Sequence, residues 1–299
     1  MKYARALLPG PGHQKNKKGI TPMSFQFTNK PGIAFFDFAC CEGCQLTVLR
    51  LNQTLIDLLA HIKIVAWREV MTSENSDYDI AFCEGSISSK SDLERIRQVR
   101  KQADIVAALG TCASIGCHNA LKNKWTPDHM RASVYGDPHF PADVITPRPV
   151  AAVVPVDYHI LGCPVSTPEL VTVIKCMLTG QKHQRPNEPV CVECKRNDTL
   201  CVFEKGLVCM GPVTRCGCNA VCTSFGDACR GCRGLMEGAN LRAAVQALTA
   251  DNRHSIMMRC KKNYDLSEND IYEKFTLYNH NHTEDIKHDR DQDSSSHPG

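Results

Sequence analysis

The 299-residue sequence predicts a doubly wound parallel α/β domain followed by a cysteine-rich, mostly irregular segment. Three observations predict it. Short, nearly continuous apolar runs alternate with helix-period stretches between Gly32 and Gly180, as strands covered on both faces require. A polar QKHQRPNEP linker (181–189) ends that pattern. Beyond it, nine of the 18 cysteines crowd into residues 191–232, a stretch too rich in Cys and Gly to bury a large apolar core of its own.

Taken in order, IAFFDFA (33–39) reads as the first strand and ends in CCEGC (40–44). A helix from about Gln45 to His61 follows, with Leu46, Leu49, Ile56 and Leu59 at helical spacing. IVAW (64–67) and YDIAFCEG (78–85) are the next strands. Ser88 or Ser91 caps a helix through LERIRQVRKQ, which leads to the strand DIVAALG (104–110) and to Thr111 and Cys112. Residues 118–150 read as an irregular excursion anchored by Trp125 and Tyr135. AAVV (151–154) is a short extended piece, and DYHILG (157–162) is the fifth strand, ending at Cys163 and Pro164. Thr167 caps the helix PELVTVIKCMLTG, with Pro168 at its first position and Gly180 at its stop. The order resembles a flavodoxin-like domain over about residues 32–183.

Apolar content of 42% permits a sizeable core, and a net charge of +3 is too small to argue for a nucleic-acid or membrane-surface partner. Residues 1–31 read as a flexible, partly basic tail with no apolar run of signal-peptide type and no twin arginine. Residues 184–260 form the Cys-rich domain, and 261–299 a polar, solvated tail. That tail's His280, His282, His288 and His297 have a metal-binding reading, set against the plainer one of a solvated end. No stretch approaches the roughly 20 apolar residues of a membrane span. A cytoplasmic location is expected, where thiols stay reduced.

Clustered CxxC pairs (Cys191/Cys194 and Cys229/Cys232) in such a chain read as metal ligands rather than disulfides. Iron–sulfur cages and four-cysteine zinc sites use the same spacing, so both remain open at this point. The first domain adds Cys41 and Cys44 after the first strand, Cys112 after the fourth and Cys163 after the fifth. Open parallel sheets gather ligands outside the carboxyl ends of their strands, so these four converge on one rim. The helix starting near Cys44 would aim its N-terminal amides at an anionic cluster there. A CxxC after a strand also suits a redox dithiol, and a single buried Cys is usually a small apolar residue.

CEGC (41–44), EG (84–85), GTCASIG (110–116) and LGCP (161–164) resemble the proximal-cluster motifs of NiFe hydrogenase small subunits. GLVCMGPVTRCGC (206–218) and CRGC (229–232) resemble that family's downstream motifs. The resemblance covers about residues 32–235 and implies three 4Fe–4S clusters in a row. By position, Cys41, Cys44, Cys112 and Cys163 would hold the proximal cluster, and Cys191, Cys194, Cys201 and Cys209 the distal one. Cys191 stands where many respiratory relatives use His. Cys218, Cys229 and Cys232 match a three-cysteine medial set, and Cys222 supplies a fourth thiolate. All-thiolate ligation implies low potential. The resemblance further implies an obligate large subunit carrying the Ni–Fe centre. Downstream would lie a flavin/iron–sulfur diaphorase or a ferredoxin-type module, in the soluble cytoplasmic group of these enzymes.

Cys40, Cys83, Cys117, Cys176, Cys216 and Cys260 have no place in a twelve-ligand scheme. Cys83 and Cys176 fit core patterns, whereas Cys40 and Cys216 lie close enough to assigned ligands to substitute for one. Glu42 and Glu84 border the proximal set; either could relay protons there, or cap backbone amides, and Glu42 is the better relay candidate. His118 reads as a surface or interface group. No P-loop, GxGxxG or GxSxG is present, which argues against kinase, dinucleotide-binding and hydrolase readings. The expected function is an electron-transfer small subunit of a NiFe hydrogenase working in reversible H2 oxidation. Its rivals are a complex I-like electron-transfer subunit and a structural zinc module.

Overall fold

The computed structural model describes residues 27, 29–72, 77–241, 243 and 244. The N-terminal tail apart from its last few residues, Cys260, and the polar end with its histidines lie outside the described residues. The chain divides into two compact units, Met1–Gln184 and Arg185–Gly299.

The first unit is a five-stranded parallel sheet in the order β2-β1-β3-β4-β5. Its strands are β1 (Gly32–Asp37), β2 (Lys63–Trp67), β3 (Ile80–Glu84), β4 (Ile105–Leu109) and β5 (Tyr158–Ile160). β3 and β4 are buried at every position, because helices cover both faces. Successive side chains still divide between the faces. Ile80 and Phe82 join Phe35, Trp67, Leu170 and Met177 on one side. Ala81 and Cys83 join Ile96, Val99 and Val106 on the other. Phe35 stacks between Trp67 and Phe82, with ring centroids 4.2 and 5.0 Å away. Cys83 is thus a core residue, while Cys176 is only half-buried.

Several local expectations need correction. The single helix over 45–61 is two helices, α1 (Gly43–Leu49) and α2 (Gln53–Leu59), broken where Asn52 takes a positive φ of 50°. The break reorients the apolar positions. Val48, Leu51 and Leu58 face the core, while Leu46 and Ile56, read as core from their spacing, are 48% and 61% exposed. Helix α3 (Lys90–Gln102) is capped by Ser89, between the two serines expected, and Asp92 closes a capping box with it. Val150–Ala152 form a 3₁₀ turn and Val153 and Val154 follow as turn and bend, so 151–154 is not extended chain. The excursion contains a 3₁₀ segment (Cys117–Lys124) and α5 (Pro127–Tyr135). Trp125 and Tyr135 are about half exposed and stack on His129 and Phe140 instead of anchoring a core. Helix α6 (Thr167–Thr179) takes Ser166, not Thr167, as its N-cap, and stops at Gly180 as expected.

Among the described residues the second unit has little regular structure, chiefly α7 (Val190–Arg196), a 3₁₀ segment (Val202–Lys205) and the single turn α8 (Val221–Ser224). A small core of Val190, Val202, Met210, Val213 and Ala220 takes in the sulfurs of Cys209 and Cys229.

Candidate metal-cluster sites

In the first unit the sheet order reverses between β1 and β3, and ligand sites in such sheets form at the carboxyl edge beside that reversal. Here α4 (Gly110–Ile115) starts directly from β4 and carries Cys112. A reciprocal pair ties the next loop to it: Thr111 N–H donates to Gly162 O, and Gly162 N–H donates to Thr111 Oγ1, both at 3.1 Å. Cys163 follows that loop, and the backbone of Val165 hydrogen-bonds the Cys44 sulfur. Gly110 has a φ of +85°, and a Cβ there would lie 2.5 Å from Cys44 Sγ. Cys44, Cys112 and Cys163 are therefore drawn together at one edge. Cys44 is buried, whereas Cys41 and Cys163 are exposed. Burial first, and the Glu84 charge second, hold the Cys44 thiol above its ordinary range.

Glu84 closes the first turn of α1, accepting from Cys44 N–H and Gln45 N–H at 3.1 Å each. The helix amides expected to face a cluster are thus already occupied by a carboxylate. Burial pushes the Glu84 carboxyl upward despite those two bonds. Glu42, the proposed relay, stands at a φ of 61° and ion-pairs with Arg68, which also reaches Asp37 at 3.2 Å. Cys40 is half-buried, and its thiol is pushed up to about 12, chiefly by burial.

Sequence reasoning left Cys117 without a role, but the fold puts it among the others. It is buried, at a φ of 51°, directly after the helix stop Gly116. Its sulfur lies within 4.8 Å of the Cys163 sulfur and of a His118 ring nitrogen. The neighbouring Cys117 thiol lowers the Cys163 thiol to about 7 and lowers Cys112 as well. His118, read as a surface group, is exposed but places Nδ1 3.3 Å from Cys117 Sγ. The C-x4-C spacing from Cys112, with a glycine before the second cysteine, was the available signal.

In the second unit, Cys191 and Cys194 lie one turn apart on α7. Gly211 adds a third sulfur: a Cβ there would sit 3.3 Å from Cys191 Sγ and 3.4 Å from Cys209 Sγ. Burial raises the Cys191 thiol to about 11, with the negative charges of Cys209, Cys194 and Cys201 adding to it. These four sulfurs are thus electrostatic neighbours. Cys209 Sγ accepts from Gly211 N–H at 3.4 Å and Cys229 N–H at 3.3 Å.

Cys229 has Cys209 and Cys232 as charged neighbours and is raised mainly by burial. The loop carrying Cys218 is held by Glu193 of α7, which accepts from Gly217 N–H at 2.8 Å and Ala220 N–H at 3.1 Å. Cys222 is exposed on α8, and the adjacent Thr223 places Oγ1 3.0 Å from Cys194 Sγ. Cys216 is buried, with its amide bonded to Glu188 O and its carbonyl to Arg233 Nε at 2.7 Å. Glu193, Thr223 and the buried Arg233 escaped sequence reasoning, because nothing in their spacing marks them.

A rim of thiols on a parallel sheet, followed by a second thiol-rich unit, defines the class: an α/β protein with two thiol-rich sites suited to metal. Residues 41–177 match the family described as NADH ubiquinone oxidoreductase, 20 Kd subunit. Sulfhydrogenase 2 subunit delta of Pyrococcus furiosus is 36% identical, the match covering 72% of this chain and 91% of that protein. A subunit of the vhu F420-non-reducing hydrogenase of Methanococcus voltae is 30% identical, over 77% of this chain and 95% of its own length. The actinobacterial-type NiFe-hydrogenase from Ralstonia eutropha H16 shares the fold, with a TM-score of 0.50 at 16% identity over 80% of this chain and 92% of that one. The chain belongs to the NiFe hydrogenase small-subunit family, whose members transfer electrons and are not the catalytic large subunit.

Proposed function

We propose that the chain carries three 4Fe–4S clusters and relays electrons between the NiFe site of a large subunit and a low-potential acceptor during reversible H2 oxidation. The ligand sets are Cys41, Cys44, Cys112 and Cys163; Cys218, Cys222, Cys229 and Cys232; and Cys191, Cys194, Cys201 and Cys209. The observation that carries the reading is the pairing of Cys191 and Cys209 about Gly211, with Cys194 and Cys201 as charged neighbours and backbone amides already donating to Cys209 Sγ. The donor chemistry fits such clusters. Buried thiols whose proton loss is resisted by burial and by one another are what a cationic iron cage would relieve. Two buried donors beside the first set, Gln45 Nε2 and Ser114 Oγ, have no hydrogen-bond partner among the described residues.

When bound, the clusters would supply one-electron storage at a potential set by ligand type, hydrogen bonds and exposure. The residues of this chain set those terms. Val165, Gly211 and Cys229 offer backbone hydrogen bonds to ligand sulfurs. Gly110 and Gly211 leave room for close approach. Four thiolates per cluster favour low potential, which suits a nicotinamide, flavin or ferredoxin-linked acceptor better than a quinone. The exposed Cys41 and Cys163 at this edge support docking of the large subunit there. Among the described residues no helix is long and apolar enough to cross a membrane, and the reading places the complex in the cytoplasm.

The family match over 41–177 also favours a second reading, a complex I-like subunit without hydrogenase activity. It leaves the nine cysteines of 191–232 without a purpose. Iron, sulfide and zinc per chain, measured on anaerobically purified protein with EPR of the dithionite-reduced sample, test the proposal. Three cubanes require about twelve iron and about twelve sulfide, and a NiFe large subunit copurifies. About two zinc without labile sulfide would sink it. Clusters without nickel in any copurifying partner would favour the complex I-like reading.

A further inference from the structure

Burial in the second unit selects charge of one sign. Among its described residues the buried charged side chains are Arg215 and Arg233, 6% and 1% exposed, and no acid is buried. An arginine stays charged at any working pH, and taking its guanidinium out of water is costly without compensating negative charge. Arg215 turns toward the segment that opens the unit, where Nη1 donates to Pro186 O at 3.0 Å and to Asn187 Oδ1 at 3.1 Å. Arg233 turns toward the cysteines. It directly follows Cys232, and its Nε donates to Cys216 O at 2.7 Å. Gly217, between Cys216 and Cys218, lies against the guanidinium: a Cβ there would sit 2.9 Å from Arg233 Cζ. The loop that presents Cys218 is thus packed on Arg233, while Glu193 accepts from its amides at Gly217 and Ala220. A neutral donor would serve to brace this loop, so the buried charge needs another reason.

We infer that Arg233 is a positioning residue for the cluster assigned to Cys218, Cys222, Cys229 and Cys232, a buried positive charge that seats the Cys216–Cys218 loop and raises that cluster's potential. This rests on the proposed ligand set. Four thiolates make an iron–sulfur cage anionic, and reduction adds one more negative charge to it. A fixed cation beside the cage favours that added charge, and burial keeps water and salt from screening it. All-thiolate ligation therefore does not leave the three sets equal: the one beside Arg233 stands above the potential its ligands alone would give it.

The test uses the intact complex purified without oxygen, wild type beside Arg233→Met and Arg233→Lys, with iron counted and each cluster signal titrated by EPR against potential. Arg233→Met keeps an unbranched side chain and removes the charge. It should retain the full iron count and shift one midpoint to lower potential, leaving the others in place. Arg233→Lys keeps the charge without the planar fork that reaches Cys216 O, and it should recover most of the shift. Unchanged midpoints in Arg233→Met overturn the inference. So does an equal shift in both variants, which would make the hydrogen bond rather than the charge the cause. If Arg233→Met does not fold or loses iron, the lysine variant decides: a midpoint close to wild type with full iron supports the inference, and a lowered midpoint or missing iron refutes it. A wild type without clusters overturns the ligand reading and this inference together, whereas a loaded wild type whose midpoints ignore Arg233 overturns this inference alone.

Discussion

Gly110 stands at the residue where β4 becomes α4, and two separate demands meet on it. Its φ of +85° lies in the left-handed region, and a Cβ would lie 2.5 Å from Cys44 Sγ. Gly136 shares the first demand with a φ of +75°, but nothing lies within 4 Å of a Cβ there. The two alanine variants therefore separate backbone strain from sulfur displacement. Gly136→Ala should cost about 1–2 kcal/mol of local stability and leave iron content unchanged. Gly110→Ala should add a collision that pushes Cys44 off its position, so iron per chain should fall by one cluster. Equal iron in both variants would show that Cys44 is not held where a ligand must be. Neither demand is visible in the sequence, where both residues are simply glycines after a regular element.

At the scale of elements, the capping box of α3 gives a clean stability prediction. Ser89 Oγ accepts from Asp92 N–H, and Asp92 accepts from Ser89 N–H, each at 3.0 Å. Asp143 accepts from the next two amides, and those bonds hold its carboxyl below the usual range. A lowered acid contributes stability above its unfolded pKa and loses it as pH falls, so α3 should loosen under acid conditions. Ser89→Ala should destabilise the helix by about 0.5–2 kcal/mol, read as faster amide exchange across Lys90–Gln102 with iron content unchanged. The strands and the parallel order were legible because apolar runs of strand length alternate with helical periods. The convergence of strand-end cysteines followed from topology alone. The break at Asn52 was not legible, since the leucine spacing runs through it and only packing decides which leucines turn inward. The closure of α1 by Glu84 joins residues far apart in the chain, and no local pattern encodes it. The C-x4-C spacing carried the placement of Cys117, but a four-ligand expectation left no room for it.

For the whole molecule, the division at Gln184 and Arg185 bears on how the ligand sets depend on one another. Within the second unit the sulfurs interlock. Cys229 N–H donates to Cys209 Sγ, Thr223 beside Cys222 touches Cys194 Sγ, and Glu193 between Cys191 and Cys194 holds the loop of Cys218. Replacing Cys209 should therefore disturb both proposed clusters of that unit, even though it would ligate only one. Cys163 belongs to the first unit, where its neighbours are Cys117 and Cys112. Effects at sites without shared partners add, whereas those within one network do not. Cys163→Ser should lose one cluster's iron, and Cys209→Ser more than one cluster's. The double variant should lose the sum of the two. In contrast, Cys209→Ser combined with Cys229→Ser should lose little more iron than Cys209→Ser alone. A Cys209→Ser protein missing only a single cluster's iron, with the other signals unshifted, would show that the hydrogen bond from Cys229 does not couple the two sets.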